Sequence, residues 1–173
     1  MREKALEDIK IGPKVLVMGS PFSGKSTVCR TLMNYSVKLG WQTIYCDLDP
    51  MANEFGSFGT LSASVLDKYM PYDFREVSKV AFFFGFSKID NHLKNYYECV
   101  RTVMKSVTMR LNRDKESYIS KNNVDNKKIL QNRIILTNEK SLFSSGCIIN
   151  SPSCFSDQPT SVVKPFIEAI NPD

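Results

Sequence analysis

The sequence predicts an α/β fold, a mostly parallel sheet flanked by helices, and three features predict it. Residues 15–18 form a short apolar run, as expected of a strand covered on both faces. A glycine-rich loop follows, and apolar residues then recur at helical spacing as far as Leu39. A β-branched and aromatic run at residues 43–46 completes a strand–loop–helix–strand unit. The right-handed crossover of such a unit makes its two strands parallel.

The loop of this unit matches the phosphate-binding pattern G-x-x-x-x-G-K-[ST]. Its members are Gly19, Ser20, Pro21, Phe22, Ser23, Gly24, Lys25, Ser26 and Thr27. A preceding strand and a following helix are the context that the pattern requires, so the sequence predicts a P-loop NTPase fold that binds a nucleotide. Gly19 is expected to adopt a positive φ, and Gly24 to keep side-chain bulk away from the phosphates.

The loop residues also predict which groups contact the phosphates and which one binds the metal. Its backbone N–H groups are expected to form an anion nest at the positive end of the helix. Lys25 is expected to lie against the β and γ phosphates, Ser26 to bind Mg²⁺ through its hydroxyl, and Thr27 to reach the α-phosphate.

Two acids, Asp47 and Asp49, follow the second strand. Carboxylates at the C-terminal end of a parallel strand face the ligand crevice, and residues two apart in a strand point to the same side. One of the two can therefore hold Mg²⁺ or its water shell, or act as a base toward an acceptor hydroxyl. The alternative is an acid that caps a helix or turn ahead of Pro50.

Composition bounds the class of protein. A chain of 173 residues with 42% hydrophobic content is expected to form one domain with a substantial core. No apolar run approaches the roughly 20 residues that span a bilayer, and the N-terminus lacks a signal-peptide core, so we expect an intracellular protein. The five cysteines form no C-x-x-C pair and are expected to be reduced, and the lone His92 cannot build a histidine metal site. The net charge of +5 permits a nucleic-acid partner without demonstrating one.

The rest of the chain is predicted in order. Residues 51–71 are expected to be a loop that lines the crevice, with a short helix at residues 62–69. A buried strand is expected at residues 80–84 and ends at Gly85. Residues 91–111 carry apolar side chains at spacings of four and three, which predicts an amphipathic packing helix. This stripe comprises Leu93, Tyr97, Val100, Met104, Val107 and Leu111.

The C-terminal part is more polar. Residues 112–145 are predicted to be a polar insertion, largely irregular, within a partial P-loop nucleotide-binding domain that spans residues 1–173. Its basic residues can touch RNA, although a solvated loop is the simpler interpretation. They are Lys115, Lys121, Lys127, Lys128 and Arg133. A buried strand is expected at residues 146–150, and a short helix at residues 161–170, interrupted by Pro165.

Several segments, taken in order, resemble the eukaryotic polynucleotide 5′-hydroxyl kinase family, which includes the ATP-binding subunit of the pre-mRNA cleavage and polyadenylation machinery. The segments are G-P-K-V at residues 12–15, the phosphate loop, N-Y-S-V-K-L-G at residues 34–40, D-L-D at residues 47–49, G-T at residues 59–60, F-F-G at residues 83–85, Asn91 with Tyr97, and S-G-C-I-I-N at residues 145–150. The run D-L-D-P is most similar to the fungal-type members.

The resemblance implies an ATP-binding protein that uses Mg²⁺ and acts in RNA 3′-end formation with a partner subunit, in the nucleus. It implies no DNA and no membrane partner. By position, Lys25 and Ser26 become the phosphate and Mg²⁺ residues and Asp49 the acidic partner, with a catalytic and a metal role. Gly59 and Thr60 fall where family members place a loop near the terminal RNA phosphate.

Departures from the family pattern predict weak or absent catalysis. Active kinases of the family follow the second acid with Gly-Gln, whereas this chain has Met51-Ala52. It also resembles only the central P-loop domain and lacks the arginine-bearing lid, so we expect a fragment or a reduced relative that is poorly soluble. The first alternative is a working RNA 5′-hydroxyl kinase. The second is a partition-type ATPase, which D-L-D-P with Asn53 also resembles, although Ser20 stands where those proteins have a second lysine.

Overall fold

The structure is a computed structural model that describes residues 1–67, 79–129 and 140–171. For residues 79, 122–129 and 156–157 it describes the backbone only. In chain order the elements are α1 (Arg2–Glu7), β1 (Lys14–Val17), α2 (Lys25–Lys38), β2 (Thr43–Asp47), β3 (Thr60–Leu66), β4 (Lys79–Phe83), α3 (Leu93–Ile129), α4 (Leu142–Ser145), β5 (Cys147–Asn150), a 3₁₀ turn (Ser153–Asp157) and α5 (Thr160–Ile170).

The five described strands form one sheet in the order β1-β5-β2-β3-β4. β5 pairs in parallel with both β1 and β2, whereas β3 is antiparallel to β2 and to β4. Four strands therefore run in one direction and only β3 opposes them, which confirms the prediction of a mostly parallel sheet. β5 lies between β1 and β2, so the phosphate loop after β1 and the acids after β2 lie at the same edge of the sheet.

Helices cover both faces of this sheet. α2 packs on one face, above β5, β2 and β1, and α3 packs on the other, above β3 and β4, with α5 and α4 beside it. The larger apolar cluster lies under α3 and includes Val100, Met104, Val107 and Leu111, so the predicted packing role of the α3 stripe is confirmed. A smaller cluster lies under α2 around Cys29, Met33, Tyr45, Phe55 and Ile148.

The apolar repeat of α2 is not its buried face. Val28, Leu32, Tyr35 and Leu39 are 48%, 38%, 60% and 58% exposed, and the buried residues are Cys29, Met33 and Ser36. The helix rests on the strands through a stripe offset by one position, because its orientation on the sheet, which local periodicity does not encode, decides which side faces inward. The apolar repeat therefore points sideways, beyond the edge strand β1, and Leu32, Tyr35 and Leu39 share a cavity wall with Val15.

Two sequence predictions are wrong. Residues 60–66, predicted to contain the start of a short helix, form strand β3, in which Leu61 and Ala63 enter the larger core cluster and Ser62 and Ser64 are buried on the other side. Residues 112–129, predicted to be largely irregular, continue α3 without a break. Packing against α4 supports this extension, since Asp114 Oδ2 accepts a hydrogen bond from the backbone N–H of Phe143 at 3.0 Å. Residues 130–139 of the predicted insertion lie outside the described residues.

The remaining elements lie where predicted, with one correction. β1, β2, β4 and β5 lie where expected, and α5 forms at the expected place, but the predicted interruption at Pro165 is wrong because the helix continues through that residue. All five cysteines are free thiols, three of them buried. In the described part of the chain, no helix is long and apolar enough to cross a bilayer.

Candidate functional site

The phosphate loop is a tight turn between β1 and α2. The backbone N–H of Ser23 donates to the carbonyl of Ser20 at 3.3 Å, and Gly24 forms the N-cap of α2 with a φ of +85°. A side chain on Gly19 would place Cβ 2.7 Å from Ser23 Oγ, whereas one on Gly24 would meet no atom within 4 Å. The positive φ expected of Gly19 therefore belongs to Gly24, and the missing side chain of Gly19 allows the close approach of Ser23. That Gly24 keeps bulk away from the phosphates stays a prediction.

The start of α2 presents the donors that the sequence predicts. The first N–H groups of a helix have no intrahelical acceptor and lie at the positive end of its dipole, so those of Lys25, Ser26 and Thr27 suit a phosphate. Lys25 Nζ donates to the Ser20 carbonyl at 3.0 Å, which holds the ammonium group across the loop. Phe22, at the tip, has a φ of +61° and a fully exposed ring.

Behind the loop, Asn150 joins Ser26 to Asp47. The Asn150 Nδ2 group lies 3.4 Å from Ser26 Oγ and 3.2 Å from Asp47 Oδ1, and donates to both. Asp47 and Asn150 are register partners at the ends of β2 and β5, so the sheet brings together residues that are far apart in sequence. Sequence reasoning gave Asn150 no role in the site. The only signal for it was its position at the end of a strand predicted to lie in the same sheet.

Asp47 is the acid that Asn150 links to Ser26, and it is fully buried. Its carboxylate accepts hydrogen bonds from the backbone N–H groups of Glu54 at 2.8 Å and Asp49 at 3.2 Å. Burial raises the pKa of Asp47 to about 7, against the lowering effect of those two N–H groups. The nearby Glu54 carboxylate is paired with Arg30, whose Nη2 lies 3.1 Å from Glu54 Oε1.

Asp49 occupies a different environment from Asp47. It is 7% exposed and accepts a hydrogen bond from the backbone N–H of Met51 at 2.9 Å. It lines a cavity of about 240 Å³, which we call the Asp49 cavity. The other lining residues are Pro21, Pro50, Met51, Ser87, Lys88, Ile89, Asp90, Pro152, Ser153 and Cys154. The two acids were expected to point to the same side of a strand. They lie in different environments because β2 ends at Asp47, so Asp49 lies beyond the strand.

The residues present fit a magnesium ion bound together with a nucleotide. Asn150 Oδ1 is buried and has no hydrogen-bond partner in the described structure, although its amide nitrogen donates to Ser26 and Asp47. Such an acceptor suits a metal-bound water, and Mg²⁺ usually keeps several waters and takes only one or two protein ligands. Within the described ranges no three His, Cys, Asp or Glu residues cluster as a metal cage, so nucleotide oxygens would have to complete the coordination.

Asn53 organises the loop between β2 and β3. Its Oδ1 accepts hydrogen bonds from the backbone N–H groups of Phe55 and Gly56 and from Ser62 Oγ, and its Nδ2 donates to the Thr60 carbonyl at 2.8 Å. Gly59 was expected near an RNA phosphate. Its backbone N–H donates to the Pro50 carbonyl, and its carbonyl accepts hydrogen bonds from backbone N–H groups in the turn after β4. The loop is therefore held in one conformation beside the Asp49 cavity.

The basic residues predicted in the insertion do not all fall within the described structure. Lys115 and Lys121 lie on α3, where Lys121 is exposed. Lys127 and Lys128 lie on the same helix, but their side chains are outside the described part, as is the whole of Arg133.

Comparison with known proteins decides the family. Residues 19–173 match the family model described as "mRNA cleavage and polyadenylation factor CLP1 P-loop". This chain belongs to the CLP1 P-loop family. The match covers the phosphate loop and every element after it, and confirms the resemblance that the sequence motifs indicated.

Individual CLP1 relatives agree. A zebrafish (Danio rerio) protein named polyribonucleotide 5′-hydroxyl-kinase Clp1 is 33% identical over 114 residues, which are 64% of this chain and 25% of the relative. The mRNA cleavage and polyadenylation factor CLP1 of Lodderomyces elongisporus is 33% identical over 105 residues, 51% of this chain and 19% of that one. The chain thus spans about a quarter or less of the length of these two CLP1 proteins.

A solved CLP1 structure supports the fold. The wild-type Clp1p–Pcf11p complex matches with a TM-score of 0.67 at 25% identity, over 99% of this chain and 38% of the solved one. A second structure, described as an extended interface between Pcf11p and Clp1p with the basis for ATP loss in a point mutant, gives the same TM-score at 23% identity. Because its identity is only 23%, the second match supports the fold and nothing further.

Proposed function

We propose that this chain is an ATP- and Mg²⁺-binding component of the pre-mRNA 3′-end cleavage and polyadenylation machinery, and that it binds the nucleotide without transferring its γ-phosphate efficiently. The observation that carries the proposal is the contact of Asn150 with both Ser26 and Asp47 behind an intact phosphate loop. A phosphate loop whose hydroxyl is contacted by an amide that a buried acid holds in place is organised for a metal–nucleotide complex.

In this proposal each residue has a defined part. The N–H groups at the start of α2 hold the phosphates, and Lys25 leaves the Ser20 carbonyl to contact the β and γ phosphates. Ser26 Oγ is the protein ligand to Mg²⁺, which when bound would neutralise charge between the phosphates. Asn150 and Asp47 orient Ser26 and the waters around the metal from behind.

Weak catalysis is proposed from the residues around Asp49. A γ-phosphoryl acceptor needs a group that accepts its proton and a group that orients it. Asp49 lines its cavity together with Pro21, and it can accept the proton of the acceptor hydroxyl or contact the metal. At the next positions Met51 is 57% exposed and lines the same cavity, and Ala52 has no polar side chain. Neither can orient a hydroxyl or a water, so we propose binding rather than turnover.

The second candidate is an active RNA 5′-hydroxyl kinase. The name of the zebrafish relative favours it, as does the position of Asp49 in a cavity next to the phosphate loop. The partition-type ATPase is now the weakest candidate. In the described structure its supporting residue Asn53 is engaged in five hydrogen bonds with its own loop and the two flanking strands, and the family match points to CLP1.

The partners and location follow as part of the same proposal. The solved relatives are complexes of Clp1p with Pcf11p, and the fungal relative is named as a cleavage and polyadenylation factor. We therefore expect this chain to join a subunit of an RNA-processing complex, and to do so in the nucleus.

One pair of measurements tests the proposal. Titration calorimetry with ATP and Mg²⁺ should register binding, and incubation with γ-labelled ATP and an RNA that carries a free 5′-hydroxyl should leave the RNA unlabelled. Efficient labelling would replace the binding role with the kinase. If the folded chain does not bind ATP, both the binding role and the kinase role are excluded.

A matched double variant isolates the cause of weak transfer. Met51→Gly with Ala52→Gln restores the Gly-Gln pair of the active kinases. A gain of RNA labelling in this variant, with ATP binding unchanged, would assign the weak transfer to these two positions. No gain would mean that the defect lies elsewhere.

A further inference from the structure

The guanidinium group of Arg30 on α2 makes a two-point contact with the carboxylate of Glu54, in the loop between β2 and β3. Arg30 Nε donates to Glu54 Oε2 at 3.3 Å, and Arg30 Nη2 lies 3.1 Å from Glu54 Oε1. The Glu54 side chain is only 9% exposed. A two-point contact fixes the orientation of both groups, and burial reduces its screening by solvent and salt. The pair therefore ties the loop to α2.

Glu54 also contacts Asp47, through its backbone. The Glu54 N–H donates to Asp47 Oδ2 at 2.8 Å, and no other group in the described structure donates to that oxygen. Asp47 Oδ1 in turn accepts a hydrogen bond from Asn150 Nδ2, which also lies 3.4 Å from Ser26 Oγ. Because the bond at Oδ2 fixes the rotation of the carboxylate, the position of Glu54 decides whether Oδ1 points at Asn150.

These contacts close a ring that begins and ends on α2. Ser26 and Arg30 are four residues apart, so they lie on the same side of the helix, one turn from each other. Between them the ring passes through Asn150, Asp47 and Glu54, which belong to β5, β2 and the loop after β2. A displacement of any one member lengthens the contacts on both of its sides. The ring therefore holds its members in one arrangement.

The neighbours of Glu54 hold the loop to the sheet, whereas Arg30 holds it to α2. Asn53 Nδ2 donates to the Thr60 carbonyl, and the buried Phe55 ring meets the buried Tyr45 ring edge-on at a centroid distance of 5.1 Å. A variant without Arg30 keeps these contacts. It loses the link between the loop and the helix that carries the hydroxyl of the phosphate loop. Burial raises the pKa of Glu54 and the guanidinium opposes that rise, so the charged form of Glu54 depends on Arg30.

We propose that Arg30 is a positioning residue for the Mg²⁺–ATP site, and that it acts through Glu54 on Asp47. The ion pair keeps Asp47 Oδ1, Asn150 and Ser26 in the arrangement that suits the metal and its waters. This inference rests on the proposed function, since it concerns the same site. It adds to that function a pair of residues that act from behind the site, through the side chains that face it.

The test compares ATP affinity in excess Mg²⁺ with ATP affinity in chelator, by calorimetry on the full chain. Affinity in Mg²⁺ should fall about tenfold in Arg30→Ala, the lower end of the effect of removing groups that orient a metal ligand. Affinity in chelator should stay at the wild-type value, because Lys25 and the first N–H groups of α2 are not part of the ring. Arg30→Lys keeps the charge without the two-point contact, so its loss should be smaller than that of Arg30→Ala.

A matched control comes from an exposed ion pair on α3. Arg101 Nη1 lies 2.6 Å from Glu98 Oε1, and both side chains are more than half exposed. Arg101→Ala also removes an arginine from a glutamate, but away from the phosphate loop, and should change neither affinity. An equal fall of Arg30→Ala in Mg²⁺ and in chelator would assign Arg30 a structural role and overturn the proposal, as would unchanged affinity in Mg²⁺.

A double variant guards against a failure to fold. Arg30→Ala leaves the buried Glu54 carboxylate unpaired, which lowers stability by itself. Arg30→Ala combined with Glu54→Ala removes both charges, and should lower the affinity in Mg²⁺ by the same factor as either single variant, because the two residues act as one link. A fall equal to the product of the two single effects would overturn that link. If the wild type binds no ATP in Mg²⁺, the proposed function itself is overturned.

Discussion

The amide nitrogen of Asn150 lies 3.2 Å from Asp47 Oδ1, across the register pair that ends β5 and β2. The same nitrogen lies 3.4 Å from Ser26 Oγ. One side chain therefore connects the hydroxyl of the phosphate loop to a buried acid on the neighbouring strand. This contact forms only because β5, a late strand in the sequence, inserts between β1 and β2.

Asn150→Ala should lower both stability and nucleotide affinity. The change leaves the buried Asp47 carboxylate without one of its three hydrogen-bond donors, which should cost about 1–3 kcal/mol in the free energy of unfolding. It also frees Ser26, so ATP affinity in Mg²⁺ should fall about tenfold or more, as when groups that orient a metal ligand are removed. Urea melts and calorimetry measure the two effects. Asn95→Ala, at an exposed position on α3, is the control and should change neither.

The pKa of Asp47 predicts a dependence of stability on pH in metal-free buffer. Burial raises the folded pKa to about 7, above the ordinary value of 3.8, with the Glu54 and Asp49 carboxylates adding to the rise. Between these two pKa values the folded state binds more protons than the unfolded state, so the contribution of Asp47 to stability is present below about pH 4 and is lost as the pH rises toward about 7. Urea melts in chelator across this range should show the decline.

The matched variant for this dependence is Asp47→Asn. An amide does not titrate, so the decline in unfolding free energy with rising pH should flatten in this variant. A decline as steep as that of the wild type would assign the pH dependence to another group.

Lys25→Ala should abolish detectable ATP binding and leave the fold intact. The ammonium group is the one full positive charge in the sequence of the phosphate loop. Among the described residues, the hydrogen bond to the Ser20 carbonyl is its one polar contact. Calorimetry should therefore register no binding while the melting temperature stays near that of the wild type. Lys38→Ala, at the far end of the same helix, should bind ATP normally. Retained affinity in Lys25→Ala would contradict the assignment of the site.

The sideways apolar face of α2 predicts self-association. Leu32, Tyr35 and Leu39 are exposed at helical spacing beside Val15 of β1, a strand that has a neighbour on only one side within the described sheet. A contiguous apolar patch beside an unpaired strand edge favours association with other molecules. Sedimentation should show oligomers or aggregates, and Leu32→Gln with Tyr35→Gln should reduce them.

A single exposed apolar residue provides the comparison. Met109→Gln removes a 56% exposed side chain on α3 that is not part of the α2 patch, and should leave association unchanged. A monodisperse monomer in the wild type would contradict the prediction.

Local patterns explain why so much of the fold could be predicted. The phosphate loop, β2 and the first part of α3 depend on neighbours in sequence, because turn geometry and the periods of strand and helix are properties of short segments. β3 was not predicted because two buried positions on one of its faces are serines and the opposite face includes the small Ala63, so the apolar alternation with period two is weak. The extension of α3 was not predicted because a polar segment carries no apolar stripe, and its helix is held by contacts with α4.

By itself, the sequence determined that the chain has a phosphate loop between a strand and a helix, two acids after the next strand, and the ordered motifs of the CLP1 family. Those features follow from the order of residues along a short stretch. Only the tertiary structure decided that Asp47 faces Ser26 through Asn150 while Asp49 turns to a separate cavity, and that the apolar repeat of α2 lies outside the core. Such relations depend on which strands are neighbours and how a helix is oriented on them, and these are set by packing between distant segments.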